Sequence, residues 1–228
     1  TAFGAATLHA WRLLKDPSSE LHRAALRLTV GMGAVAALLQ PLSGDVTARR
    51  VAELQPAKLA AMEAHFETGP CAPLRIGGIP DVERRTVRWS LDIPCGLSIM
   101  VARDARAVVT GLEDIPRDEW PPVTPVHVAF QIMVGIGVFL AGLGLWGAWR
   151  MLRKRPLWEP RGYLWALVAA GPLAFLAIQA GWTVTEVGRQ PWVIYGILRT
   201  ADAVTPMPGL VVPFTTFTLL YLFLAVVV

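Results

Sequence analysis

The sequence predicts an all-α fold: a polytopic membrane helix bundle carrying one large external loop domain. Three observations predict it. Of the 228 residues, 54% are apolar and 17% are charged, against roughly 25% charged in an ordinary soluble domain; mean hydropathy is +0.48. The apolar residues gather into runs near the 20 or so needed to cross hydrocarbon: Ala24–Pro41, Val126–Trp149, Tyr163 to about Val187, and a last one from about Gly209. The short connections between these runs are strongly basic.

The same figures exclude other classes. A disordered tail or a coiled coil would carry more charge. Cys71 and Cys95 permit at most one bridge, which excludes a disulfide scaffold, and neither lies in a CxxC, so a structural zinc has no ligand set. A net charge of +4 and a pI near 9.5 invite nucleic acid. Many of the Arg and Lys residues flank apolar runs, however, where membrane topology accounts for them, so no nucleic-acid partner is expected.

Taken in order, Thr1–Leu14 is too short for a span and runs into Arg12, Lys15 and Asp16, so it reads as the tail of a helix. No basic n-region or cleavage motif marks a signal peptide. The far end, Thr215–Val228, stops in an apolar run, and the chain is expected to be a piece of a longer protein. Residues 1–42 thus hold the end of one transmembrane helix and a complete second one. Glycine and proline within the spans (Gly31, Gly33, Gly135, Gly137, Gly142, Gly144, Pro172) are tolerated in lipid, and small residues let helices approach closely. The connection 12–27 carries Arg12, Lys15, Arg23 and Arg27; the connection 150–161 carries Arg150, Arg153, Lys154, Arg155 and Arg161. Both are placed in the cytoplasm. Residues 43–124 and 188–208 then lie outside, since long loops translocate largely regardless of their charge. Within the long loop, Pro56–Thr68 reads as a helix, with proline near its start followed by good helix formers. Thr86–Ile93 alternates apolar and polar residues and reads as a strand. Residues 125–228 form the second set of spans, the last one truncated.

Several residues are candidates for chemistry. Lys58 and Glu63 are five apart, about 140° around a helix, so they are not an ideal ion pair; spacing alone favours two solvated charges over a pair lining a cleft. In the second role they would accept a proton from, and hydrogen-bond to, a polar headgroup arriving from the lipid. Glu186 closes the apolar run Leu164–Trp182, where a carboxylate is costly unless functional or paired; Arg189 is its candidate partner. Gln179, Trp182 and Glu186 share a helix face suited to a cofactor inside the bundle. Met133, about 12 Å below the outer surface, reads alone as packing, although a thioether is also an axial haem ligand. His9, His22, His65 and His127 lack a second ligand at i+3 or i+4 and read as ordinary interfacial histidines.

Four motifs fall in order: Gln55-Pro-Ala-Lys58-Leu-Ala-Ala-Met-Glu63-Ala, Gly78-Ile-Pro-Asp81, Phe130-Gln-Ile-Met133-Val-Gly, and Gly181-Trp182 leading through Glu186 to Gly188-Arg-Gln-Pro-Trp192. Together they resemble subunit I of the cytochrome bd quinol oxidases, over essentially the whole chain. The resemblance implies a bacterial or archaeal cytoplasmic-membrane enzyme that oxidises membrane quinol and reduces dioxygen to water, with subunit II as partner and a small accessory subunit as a further one. It makes 43–124 the quinol-oxidising loop of the short type, with Lys58 and Glu63 in quinol oxidation. Met133 becomes the axial ligand of a low-spin haem b, Glu186 the carboxylate at a high-spin haem b, Trp182 the indole near the haems, and Arg189 a charge partner there; haem d or a further haem b completes the set. Gln131 stands where the family often has arginine, so one positive charge near the low-spin haem is missing. The family's first four helices, with its other haem histidines, fall outside this chain. Two other readings remain: a non-haem, transporter-like membrane protein in which Glu186 and Arg189 form an intramembrane ion pair, and a non-catalytic scaffold fragment.

Overall fold

The computed structural model describes residues 1–204 and 207–227; Thr205 and Pro206, in the expected connection 188–208, and Val228, at the end of the last expected span, lie outside the described residues. Four helices, α1 (Ala2–Lys15), α2 (Glu20–Leu54), α5 (Val123–Leu152) and α6 (Arg161–Val187), pack in a ring, α1 against α2 and α6, and α5 against α2 and α6. The remaining helices are α3 (Pro56–Met62), α4 (Gly96–Ala102) and α7 (Val211–Val227). α2, α5 and α6 are long and apolar enough to cross a membrane. The expected helix bundle with a large loop is therefore what forms, with a small amount of strand added inside the loop.

The bundle is held by small residues and a few buried aromatics. α1 buries Phe3, Ala6, Ala10 and Leu13, a stripe at helical spacing. It meets Leu26 and Val30 of α2, Leu143 of α5, and Leu164, Leu167 and Ala170 of α6 in one core. The axes of α2 and α5 approach so closely that a Cβ on Gly144 would lie 2.9 Å from the Cα of Ala34, which is the packing small residues permit in lipid. Tyr163 donates its hydroxyl hydrogen to the Leu143 carbonyl at 3.0 Å, tying α6 to α5. At the end away from the loop, Arg23 and Arg27 both stack over Trp158, at 4.7 and 4.9 Å from its ring centroid.

The loop departs from expectation in three places, each for a local reason. The helix begun at Glu20 does not stop near residue 42: it continues through Pro41 to Leu54. Beyond the proline it is supported by Thr47, whose hydroxyl returns to the Ser43 carbonyl at 2.9 Å, and by Asp45, which binds Arg49 one turn on and Arg103 from the end of α4, each at 2.7 Å. The helix begun at Pro56 stops at Met62 rather than running to Thr68. Ala64 adopts a left-handed conformation (φ 48°), and the amides of Ala64 and His65 return to the carbonyls of Ala61 and Ala60 at 3.3 and 2.8 Å. That paired closure is a Schellman motif, built here on alanine in place of glycine. The expected strand Thr86–Ile93 is two strands, β4 (Thr86–Arg88) and β5 (Leu91–Ile93), broken at Trp89, whose φ is +58°. β4 pairs antiparallel with β3 (Ile79–Asp81), β5 with β2 (Leu74–Ile76), and β1 (Gly69–Pro70) with β6 (Val108–Val109).

Cys71 and Cys95 are bonded to each other across 24 residues. Beside the bridge, buried Ser98 accepts the Ala72 amide and donates to the Ala107 carbonyl, both at 2.9 Å. Leu59, Ala72, Leu97 and Val109 form a small core underneath. The connection from α6 to α7 carries a two-stranded ribbon, β7 (Trp192–Ile194) with β8 (Leu198–Arg199), and no residue of α7 is buried.

If the close approach at Gly144 sets the α2–α5 spacing, Gly144→Val should force the two helices apart and destabilise the assembled protein by about 1–3 kcal/mol, the usual range for overpacking. A melting temperature within a degree of the parent would show that the interface yields without loss.

Candidate functional site

The loop closes over the ends of α5 and α6, and the polar residues expected to act fall into two groups there. Glu63, at the C-cap of α3, is 1% exposed, and neither carboxylate oxygen has a hydrogen-bond partner among the described residues. Burial pushes its proton affinity up, to a pKa of about 7, against the pull of the Arg75 guanidinium. Arg75 does not pair with Glu63. It donates instead to the Ala64 carbonyl at 2.6 Å, just past Glu63, and its Nε lies 3.7 Å from Asp92. His65, the next residue, is also buried: Nε2 faces the Val109 carbonyl at 3.4 Å and Nδ1 has no partner.

Two residues of α5 clip this part of the loop to the bundle. His127 is fully buried, with Nδ1 2.8 Å from the carbonyl of Met62, the residue before Glu63, and Nε2 3.2 Å from the carbonyl of Gly77. One turn on, Gln131 accepts the Gly77 amide at 2.9 Å and donates to the Arg75 carbonyl at 2.9 Å. Gly77 and Gly78 both have positive φ, a backbone conformation that favours glycine, and a side chain on Gly78 would run into Val87 and Ser90 of the loop itself. The sequence offered two signals for this clip, a histidine and an amide at i and i+4 on α5 and a Gly-Gly pair in the loop. Their meeting across 50 residues or more was not legible. The structure corrects one reading here: His127 is a buried structural contact, not an ordinary interfacial histidine; beside it the Gln131 side chain is engaged with the loop backbone.

The second group sits at the loop end of α6. Lys58 reaches across from α3, Nζ donating to the Thr185 carbonyl at 3.3 Å. Burial lowers its proton affinity, and Arg189 lowers it further against the opposing attraction of Glu186. Glu186 and Arg189 form an ion pair at 3.1 Å. The structure therefore brings Lys58, Glu186 and Arg189 together, while Glu63 belongs to the first group. Lys58 and Glu63 are not two solvated charges: one is half-buried and the other fully buried.

The face of α6 that holds Gln179, Trp182 and Glu186 does not point into the packing of the described helices. All three are exposed, Trp182 by 70%. Met133 is partly buried against the loop-side core, its sulfur 3.2 Å from where a Cβ on Gly181 would stand. A thioether is a soft donor that could serve a haem iron as a ligand. No described histidine stands ready to share such a role: both ring nitrogens of His127 face carbonyls, His65 lies inside the loop, and His9 and His22 face one another at 3.1 Å at the opposite end of the bundle. Among the described residues no three His, Cys, Asp or Glu side chains gather as a metal site.

Comparison with known proteins bears on these groups. A family model described as cytochrome bd terminal oxidase subunit I matches residues 1–228. The chain is 39% identical over 225 residues to a Bacillus subtilis (strain 168) protein provisionally named cytochrome bd menaquinol oxidase subunit I, covering 96% of this chain and 50% of that one. It is 32% identical over 215 residues to the cytochrome bd ubiquinol oxidase subunit 1 of the same organism, covering 90% and 46%. Among solved structures, the bd oxidase from Geobacillus thermodenitrificans matches with a TM-score of 0.85 and 41% identity, over 99% of this chain and 52% of that chain. The chain spans about half the length of the relatives it matches.

The buried carboxyl of Glu63 has a consequence for stability. In the unfolded chain it ionises near its ordinary 4.5, whereas the folded protein holds the proton to about 7. Between those values the unfolded state binds fewer protons, so stability is full below about pH 4.5, falls as pH rises and levels off above about 7, a loss of about 3 kcal/mol. Glu63→Gln should abolish that fall, leaving the variant more heat-stable than the parent at pH 8 and equal to it near pH 4.5. Parallel melting curves for the two proteins across this range would contradict the burial.

Proposed function

Since the chain belongs to the cytochrome bd terminal oxidase subunit I family, we propose that it supplies the quinol-oxidising loop and part of the haem environment of a terminal oxidase that oxidises membrane quinol and reduces dioxygen to water. Subunit II is the proposed partner, with a small accessory subunit as a further one. In this reading residues 43–124 face the outside of a bacterial cytoplasmic membrane. Residues 1–42 and 125–228 provide the spans.

The observation that carries the reading is Glu63: a fully buried carboxylate with no hydrogen-bond partner among the described residues, at the end of a loop helix, with its pKa raised to about 7. A group so placed is matched to proton transfer near neutral pH. A quinol entering from the lipid presents two hydroxyls. Lys58 hydrogen-bonds to one quinol oxygen and orients the ring, and Glu63 takes a hydroxyl proton as the ring is oxidised. His127 and Gln131 hold the Glu63 turn and the Gly77 turn still during that transfer, which keeps the carboxylate away from water. Haem, when bound, supplies the electron acceptor. Met133 would hold the low-spin haem b from one side, and Glu186, Trp182 and Arg189 would stand beside the high-spin haem b on the outward face of α6. The oxygen-reducing haem, d or a further b, would rest on the rest of the oxidase. The names of the two Bacillus subtilis relatives include both menaquinol and ubiquinol, so the substrate is stated as a quinol.

Family membership favours this reading over the transporter-like and scaffold-only ones. For Glu186 alone, the ion pair with Arg189 favours a second role, in which the carboxylate balances the cations Lys58 and Arg189 at the end of α6 without touching a cofactor.

In the complete oxidase, Glu63→Gln keeps the shape and removes the base. Quinol-driven oxygen uptake should fall by about 100-fold, while uptake driven by an artificial donor that bypasses the loop stays near the parent's. Equal losses with both donors would mean a folding defect and would count against the site.

Met133→Leu conserves volume and removes the sulfur lone pair. The low-spin haem b signal should be lost or turn high-spin, with the oxidase still assembled. An unchanged low-spin spectrum would release Met133 from that role.

A further inference from the structure

Glu63 is sealed from solvent, so a proton it accepts has to be handed to another group before it can accept the next. The structure supplies one candidate on the loop side. His65 lies two residues beyond Glu63, across Ala64, whose carbonyl is held by Arg75. It is 4% exposed, yet it lines a cavity of about 440 Å³ together with Glu67, Arg75, Arg85 and Asp92. With Nε2 carrying the hydrogen and donating to the Val109 carbonyl, Nδ1 is left as a buried lone pair with no partner. A buried, unpartnered imidazole nitrogen is costly, and the residue that carries it lines a polar cavity.

We propose that His65 is a proton-relay residue, passing to this cavity the proton that Glu63 takes from the quinol. The proposal rests on the quinol-oxidising reading of Glu63. The proton balance is simple. A quinol hydroxyl gives H⁺ to the Glu63 carboxylate while its electrons leave by the oxidase's own acceptors. Glu63 and His65 are not hydrogen-bonded to each other at rest, so the His65 side chain moves to take H⁺ from the Glu63 carboxylic acid at Nδ1, regenerating the carboxylate and forming an imidazolium. The imidazolium gives H⁺ to water in the cavity and returns to its starting tautomer. No further oxidant or reductant is needed.

The charged groups around His65 suit a transient cation. Burial lowers the proton affinity of the ring, and Arg75 on β2 lowers it further; Glu67, just after α3, and Glu113, in the 3-10 turn Leu112–Asp114, raise it. Asp92 on β5 and Arg85 in the β3–β4 turn face the same cavity. The ring therefore sits neutral between turnovers, and two carboxylates are at hand when it is protonated. Arg75, by holding the Ala64 carbonyl, fixes the backbone between donor and acceptor.

The test uses the complete oxidase in membranes. His65→Gln places an amide where Nε2 donates to Val109 and removes the base. Quinol-driven kcat should drop by roughly 10- to 100-fold, with KM for quinol within about twofold of the parent, a larger solvent deuterium effect, and unchanged uptake from the loop-bypassing donor. In His65→Gly, imidazole added from outside should restore quinol-driven turnover in proportion to its concentration, because the cavity can admit it. A His65→Gln enzyme with the parent's kcat and pH profile overturns the relay. So does a slow His65→Gly enzyme that imidazole does not restore, and so does failure of both variants to assemble with the parent's haem spectrum, which would assign His65 to the fold. If Glu63→Gln is inactive with quinol and His65→Gln is not affected, only the relay falls. If Glu63→Gln keeps its quinol activity, the reading of the loop itself falls.

Discussion

A carboxylate buried with both oxygens unpartnered stays in place only if the backbone around it is held more strongly than desolvation of the charged form opposes it. Around Glu63 the chain meets that condition entirely with backbone contacts. The Schellman closure at Ala64 ends α3 there, Arg75 holds the next carbonyl, and His127 holds the carbonyl before. None of these touches the carboxylate itself. Its proton affinity is thus left to burial, and the same burial that raises its pKa makes the turn sensitive to the charge on it.

The constraint reaches the bundle through Gly77. One residue donates its amide hydrogen to Gln131 and faces His127 with its carbonyl, and the positive φ that glycine permits at Gly77 and Gly78 shapes the turn that presents both groups. The clip sits on α5 within two turns of Met133, the thioether that faces α6 at Gly181. Loop and bundle therefore share one stretch of α5. A shift of the loop would strain that stretch, and a shift of α5 would move the turn that carries Glu63. The disulfide Cys71–Cys95 and the Ser98 hydrogen bonds tie together the far side of the loop.

Where one periodicity or one local residue decides the structure, the sequence could be read. The apolar runs became α5 and α6, Pro56 begins α3, and Gly33 and Gly144 sit where helices touch, whereas Gly135, Gly137 and Gly142 face open space. Where a distant contact decides, it could not. Pro41 looked like the end of a span because local rules stop there, yet Asp45 collects two arginines, one from α4, and the helix continues. Ala64 and Trp89 adopt left-handed φ values that neither residue advertises, so a helix was expected to run on and two strands were expected to be one. Lys58 and Glu63 looked solvated from their rotation around a helix. That rotation is real, but each side of α3 is covered by a different part of the protein.

Lys58, Arg189 and Glu186 pose the opposite electrostatic problem to Glu63. Two cations and one anion meet at the loop end of α6, and Lys58 is desolvated as well as repelled by Arg189. Its one hydrogen bond is to a carbonyl, Thr185, on the last turn of α6, where the helix dipole favours a cation. The amine is therefore held by a modest contact and has two further hydrogens to offer. A neutral headgroup with an oxygen acceptor would satisfy it without adding charge to the cluster, whereas a second cation would be expelled. Glu63 offers the complement, an acceptor that prefers to become neutral. A donor that carries surplus positive charge and an acceptor that sheds negative charge, held on one short helix, match a substrate that gives up protons while remaining uncharged itself.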